Sequence, residues 1–174
     1  MALFEDTFEV IDVDKEGKRF DRVSRLECRA EEQEDVTLRL DYNCEIYRLE
    51  INNKFNFSLR TSLSDDTTVD VVSQSAEYDQ SGDPSKADSY EYVMYGKIFR
   101  VEPKKKVVEI YASFGGLLMC LKGPPNSFKQ LTMDKRIYLL IKKYIKFLLQ
   151  IFLKTNQFVK NKILLYQSKK GLCA

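Results

Sequence analysis

Stretch after stretch of this chain alternates apolar and polar residues one by one. That period of two belongs to a β-strand with one dry face and one wet face, and it constrains the fold more than any other feature. Val36, Leu38, Leu40, Tyr42, Cys44 and Ile46 alternate with Thr37, Arg39, Asp41, Asn43, Glu45 and Tyr47. Leu26, Cys28 and Ala30 alternate with Glu27, Arg29 and Glu31, and Phe55, Phe57 and Leu59 with Asn56, Ser58 and Arg60. Phe4, Phe8 and Val10 open a first strand whose apolar phase slips at Ile11 and Val13, the mark of a bulge or a strand end.

Further along, the pattern changes. From Tyr90 to Val101 both phases are apolar, with Tyr90, Tyr92, Met94 and Ile98 on one face and Val93, Tyr95, Phe99 and Val101 on the other. This predicts a strand buried on both sides, either at the middle of a barrel or under a partner, and Gly96 within it predicts a bend or a close backbone approach. Pro103 and Lys104 to Lys106 predict a hairpin turn. Val108, Ile110, Ala112 and Phe114 resume the alternation until Gly115-Gly116 breaks it. Leu117 to Leu121 and Ile137 to Ile141 are the last strand-like runs. Successive strands joined by short turns point to an antiparallel barrel or sandwich, and closure would remove exposed edges.

Two segments do not alternate. Between Ser64 and Ala87 the composition turns to Asp, Ser, Thr and Gly, and the reading there is a flexible excursion between two strands. The acids from Ser64 to Glu91 are Asp65, Asp66, Asp70, Glu77, Asp79, Asp83, Asp88 and Glu91, against Lys86 alone. From Lys135 to the end there are ten basic residues and no acid, so the formal net charge of +2 hides an acidic loop and a basic tail. The tail from Tyr144 onward is predicted to be an extra extension, either a basic amphipathic helix or a non-homologous addition. The run from Ile137 to Leu153 contains Lys142, Lys143 and Lys146, which makes it a poor membrane span.

The chain contains no histidine. Ser-His-Asp triads, Cys-His dyads and most catalytic zinc sites are thereby excluded. Cys28, Cys44, Cys120 and Cys173 lack C-x-x-C spacing, so no metal knuckle is expected, and free thiols suit a reducing intracellular compartment. Asp12, Asp14, Glu16 and Gly17 resemble the start of a calcium loop, but the twelfth position is Val23 and the flanks read as strands. A charged turn with glycine at positive φ fits better. Asp65 and Asp66 are adjacent carboxylates in a polar loop and read as solvated. Gly115-Gly116 has no following lysine and serine and is not a phosphate loop. It either turns a barrel corner or lets another protein press close. The aromatics Tyr90, Tyr92, Tyr95, Phe99, Tyr111 and Phe114, with Lys97 and Arg100 among them, are either barrel core or a stacking platform for single-stranded nucleic acid. No cofactor is assigned.

Five strings carry a family resemblance: LFEDTFEV (Leu3 to Val10), GKRFDRVSRL (Gly17 to Leu26), YEYVMYGKIFRVE (Tyr90 to Glu102), ASFGGLLMCLKG (Ala112 to Gly123) and RIYLLIKK (Arg136 to Lys143). In order and spacing they closely resemble the eighth subunit shared by eukaryotic RNA polymerases I, II and III. The resemblance spans about residues 1–143 and leaves 144–174 as an extra tail; 124–134 is only loosely similar. It implies an all-β, antiparallel barrel of the oligonucleotide/oligosaccharide-binding (OB) type with about eight strands. It implies a non-catalytic assembly subunit, docked on the largest polymerase subunit beside its neighbours, in the nucleus and nucleolus. The variable loop of that family corresponds to 64–87. Chemistry then places the partner interface at Tyr95, Gly96, Lys97, Gly115, Gly116, Leu117 and Leu118. Candidate nucleic-acid contacts are Tyr92, Lys97 and Arg100, which would carry the alternative role of a single-strand binder.

Overall fold

A computed structural model describes residues 2–18, 20–63 and 85–144. Eight strands run β1 (Ala2–Val13), β2 (Val23–Ala30), β3 (Thr37–Asn43), β4 (Lys54–Arg60), β5 (Tyr92–Pro103), β6 (Val108–Phe114), β7 (Leu117–Gly123) and β8 (Arg136–Lys143). Every pairing is antiparallel, and the order β1-β2-β3-β7-β6-β5-β8-β4 closes on itself. The result is an all-β, OB-type closed barrel. Closure leaves no long edge of unpaired N–H and C=O groups.

The interior is filled by the residues whose alternation predicted it. Phe4, Phe8, Val10, Leu26, Cys28, Ala30, Leu38, Leu40, Phe55, Phe57 and Leu59 are all buried. Four phenylalanines from three elements meet near one end. Phe8 and Phe57 pack edge-on with centroids 5.3 Å apart, and Phe4 meets Phe128 of the 3-10 turn Pro125–Phe128 at 5.4 Å. Edge-to-face rings of this kind add to the stabilisation from burial alone.

Several local features set the barrel's shape. The register of β1 on β2 jumps between Val10 and Asp12, so Ile11 is extruded and half-exposed, as the phase slip predicted. A second jump lies on β5 between Ile98 and Arg100. Gly115 and Gly116 form a two-residue hairpin between Phe114 and Leu117, with φ of +60° and +100°. Such tight hairpins use positive φ at both central residues, which glycine adopts without penalty. The charged turn after β1 has Gly17 at φ +86°, again as expected.

Three expectations need correction, and the one for Gly96 holds. Strand β3 ends at Asn43, and the chain then turns. Ile46 is therefore 71% exposed while Tyr47, assigned to the wet face, is buried. Strand β5 is not buried on both faces within the barrel: Tyr95 takes the outward phase of the ordinary alternation, and beyond it the extra residue at the bulge puts Phe99 and Arg100 together on the wet face. Gly96 lies at a close backbone approach, as the strand pattern predicted: a Cβ there would lie 2.2 Å from the Ser113 carbonyl oxygen and 2.5 Å from the Phe114 ring. The far end of the acidic excursion is ordered, since Lys86–Ser89 forms a 3-10 turn capped by Ser85 and Asp88. The backbone N–H of Lys86 donates to the Leu63 carbonyl at 2.9 Å, so this excursion leaves and returns at one point. Asp65, Asp66, Cys173 and the tail beyond 144 lie outside the described residues.

Candidate docking surface

Strands β8, β5, β6 and β7 lie side by side, and pairing brings their outward residues into rows. Tyr95 faces Tyr138 across β5 and β8, and Lys97, Ser113 and Leu118 form a row across β5, β6 and β7. Past the bulge, Arg100 lies beside Tyr111 and then Cys120. Three large apolar or aromatic side chains stand out from this wall: Tyr95 is 38% exposed, Phe99 44% and Leu118 44%. Scattered apolar residues are ordinary on a protein surface, but here they share a single wall of a closed barrel.

The polar groups of the wall are mutually engaged. The Tyr95 and Tyr138 rings lie 4.7 Å apart, and Arg136 Nη1 donates to Tyr95 Oη at 3.5 Å. Lys97 Nζ pairs with Asp134 at 2.8 Å. Arg100 pairs with Glu102 and lies over the Tyr111 ring, 5.5 Å from its centroid. Glu109 accepts from Lys104 at 2.6 Å and from the Tyr111 hydroxyl at 2.9 Å, with Lys122 at 3.7 Å. The Lys104 bond, then the Tyr111 bond, holds the Glu109 carboxyl below its ordinary pKa, and the Glu109 bond raises that of Tyr111.

The predicted interface residues therefore separate into three kinds. Tyr95, Lys97 and Leu118 are outward-facing and neighbouring. Gly115 and Gly116 form the hairpin tip, where an added Cβ would meet nothing within 4 Å. Gly96 serves internal packing, and Leu117 is half-buried against the core. Of the candidate nucleic-acid contacts, Lys97 and Arg100 are exposed but paired with carboxylates. Tyr92 is corrected: it is 7% exposed, its ring stacks on Tyr47 at 5.2 Å, and its hydroxyl accepts the Asn43 backbone N–H at 3.0 Å. Its aromatic face is spent inside the barrel end and offers nothing to a base. Among the described residues, no group of three or more His, Cys, Asp or Glu converges as a metal holder.

Beside the wall is a feature the sequence reading missed. Phe20, 67% exposed, stands at the rim of a cleft of about 330 Å³ between the turn after β1 and the Gly115-Gly116 hairpin. The Arg25 fork on Asp41 (2.6 and 2.9 Å) lies at this cleft. The available signal was Phe20 itself, an aromatic isolated among charges in KRFDR. Arg25 and Asp41 gave no signal, because their meeting depends on the register of β2 against β3.

The family model for RNA polymerase Rpb8 matches residues 5–143. A Dictyostelium discoideum protein named as the subunit rpabc3 of DNA-directed RNA polymerases I, II and III is 48% identical, the match covering 81% of this chain and 96% of that protein. An Arabidopsis thaliana relative, named as subunit 8B of RNA polymerases II, IV and V, is 37% identical, covering 82% of this chain and 97% of its own. The Saccharomyces cerevisiae RPABC3 is 35% identical, covering 82% and 98%. With the family model reaching all eight strands and relatives matched over nearly their full length, the chain belongs to the RNA polymerase Rpb8 family.

Proposed function

We propose that this protein is the non-catalytic subunit common to the nuclear DNA-directed RNA polymerases I, II and III. In this reading it docks on the largest subunit through the β5–β6–β7 outer wall, and it works in the nucleus, nucleolus included. The observation that carries the reading is the match of residues 5–143 to the Rpb8 family, with relatives named as shared polymerase subunits. The physics of the barrel supports the assembly role. A closed sheet is ordered before it meets its partner, so docking costs little conformational entropy. Tyr95, Phe99 and Leu118 provide apolar area on that rigid frame, and burying them supplies the driving force. A chain without histidine also lacks the most versatile proton-transfer group at neutral pH, which favours a supporting role over a catalytic one.

Leu118→Glu tests the docking wall. Leu118 projects outward, so the substitution should shift stability by only about 0.5 kcal/mol, within the usual surface range. Buried under a partner, the same carboxylate would be unpaired and desolvated, costing several kcal/mol of binding. Tagged protein carrying the change should melt like the unaltered one yet recover much less of the largest polymerase subunit. Equal recovery of that subunit would remove this wall from the interface. The alternative role, single-strand nucleic-acid binding, loses Tyr92 to burial and finds Lys97 and Arg100 already paired.

A further inference from the structure

The end of β1, the start of β2 and the turn after β3 enclose an open cleft of about 630 Å³ with a free thiol on its rim. None of its lining residues belongs to the outer wall. We propose that Cys44 in this cleft is a reversible modification site. It exchanges with an acidic low-molecular-weight disulfide, glutathione disulfide being the example tested, and the cleft holds the incoming group by its carboxylates.

Local structure fixes the sulfur. Strand β3 ends at Asn43, and the Cys44 backbone N–H donates to the Arg22 carbonyl at 3.0 Å, which pins the turn to the segment before β2. The half-buried thiol donates to the Asp21 carbonyl at 3.7 Å, and Lys18 Nζ donates to Sγ at 3.6 Å. An ammonium therefore stands beside the atom that must carry negative charge when it attacks. The other described thiols are placed differently. Cys28 is enclosed in the core, where burial pushes its thiol up to about 12, and Cys120 is also raised chiefly by burial. Thiols raised in this way are poor nucleophiles at neutral pH.

Two further groups in the cleft call for an occupant. Ser24 lies on the inner face of β2 and is 5% exposed, yet its hydroxyl makes no hydrogen bond among the described residues. Buried hydroxyls ordinarily have a partner, and this one lines the cleft with a donor and an acceptor to offer. The neighbouring Tyr42 hydroxyl is satisfied instead, donating to the Leu49 carbonyl at 3.3 Å and accepting the Leu49 N–H at 3.4 Å. The second group is Arg48, an exposed guanidinium with no carboxylate partner among the described residues. Arg22 adds nothing to it, because Glu45 neutralises it at 3.3 Å. Among the described lining residues, Lys18 and Arg48 then stand against Asp21, and the balance favours an anion. A carboxylate suits this set: it takes the guanidinium fork side-on and accepts from the serine hydroxyl. The volume lies within the range of small-molecule sites, large enough for a tripeptide with two carboxylates.

In the exchange, Cys44 Sγ gives its proton to water and attacks one sulfur of the disulfide. A new S–S bond forms to Cys44 as the old one breaks. The Cys44 sulfur is oxidised, and the departing thiolate, reduced, takes up a proton. Attack by a free thiol on the mixed disulfide restores Cys44 by the same path.

The test treats the full chain at neutral pH with three disulfides: anionic glutathione disulfide, neutral hydroxyethyl disulfide and cationic cystamine. Acid quenching and peptide mass mapping follow each cysteine separately. Every rate is divided by that of N-acetylcysteinamide with the same reagent, so that intrinsic reactivity cancels. Cys44 should react ahead of Cys28 and Cys120. Its normalised rate should fall roughly fivefold from glutathione disulfide to hydroxyethyl disulfide, the size of a partly screened charge contact, and further to cystamine. The double variant Lys18→Gln, Arg48→Gln changes two exposed side chains, so its melting temperature should hold while the three rates converge. Ser24→Ala should slow glutathione disulfide at Cys44 and leave cystamine unchanged. A flat or inverted charge order in the unaltered protein overturns the proposal, as does faster reaction at Cys28 or Cys120. A charge order that survives loss of both cations overturns it too, and so does undiminished glutathione reactivity in Ser24→Ala.

Discussion

The three glycines placed at the interface by sequence show how one residue type answers different demands. Gly96 is required by crowding: a methyl group there would sit 2.2 Å from the Ser113 carbonyl oxygen and 2.5 Å from the Phe114 ring. Backbone oxygen cannot swing aside, so the strand would have to shift and the ring repack. Gly115 has unlimited room and is required by conformation, at φ +60°. The left-handed region costs an ordinary L-residue about 1–2 kcal/mol, and asparagine visits it more readily than alanine. Gly96→Ala should therefore destabilise by several kcal/mol, in the range of overpacked cores or beyond. Gly115→Ala should cost about 1–2 kcal/mol, and Gly115→Asn less. Chemical denaturation of the three variants would rank them. An equal loss at Gly96 and Gly115 would mean that the sheet yields at Gly96 and that the close approach is not needed.

At the scale of the element, the hairpin β5–β6 and its neighbour β7 are tied by one carboxylate. Glu109 reaches Lys104 in the turn, Tyr111 on its own strand and Lys122 directly opposite on β7. Because these partners lower its pKa in the folded state, the folded protein binds that proton less readily than the unfolded chain. The stabilisation is present above the unfolded carboxyl range, near pH 4.3, and is lost as pH falls below it. Glu109→Gln should remove about 1 kcal/mol near neutral pH and flatten the acid limb of the stability profile; an unchanged acid limb would place the pH-sensitive contact elsewhere. Elements also show where sequence legibility ended. Strands β1 to β4 and β8 were readable because their inner faces touch only the core, so hydropathy and burial coincide. On β5 they parted: the bulge moved the phase, and outward aromatics could not be told from inward ones by period alone. The same ambiguity consigned Tyr92 to a surface role, although its hydroxyl caps the Asn43 N–H across the barrel end. Register-dependent pairs such as Arg25 with Asp41 lie 16 residues apart along the chain and carry no local signature.

For the whole molecule, closure of the sheet has a consequence at high pH. A barrel holds the titratable groups of its core and its wall in one cooperative unit, and here those groups release protons reluctantly. Burial raises the pKa of Tyr42, Tyr92 and Tyr138, and burial followed by the Glu91 hydrogen bond raises that of Tyr47. Tyr111 is raised chiefly by its bond to Glu109, and burial pushes the Cys28 thiol up to about 12. Each of these groups keeps its proton in the folded state at a pH where the unfolded chain has lost it. Their shared contribution is therefore complete below the unfolded values, about 8.5 for the thiol and about 10 for the phenols, and falls away as pH rises past them. The slope approaches about 1.4 kcal/mol per pH unit for each group so held. Stability should drop gently above about pH 8.5 and steeply above about pH 10, with tyrosinate absorbance rising together with the loss of β-sheet circular dichroism in a single transition. Tyr47→Phe should make the drop shallower, since one phenol no longer links proton release to unfolding. If the phenols titrate near their ordinary value while the circular dichroism stays intact, the rings are open to water, and the packed barrel end formed by Tyr47, Tyr92 and Glu91 does not exist in solution.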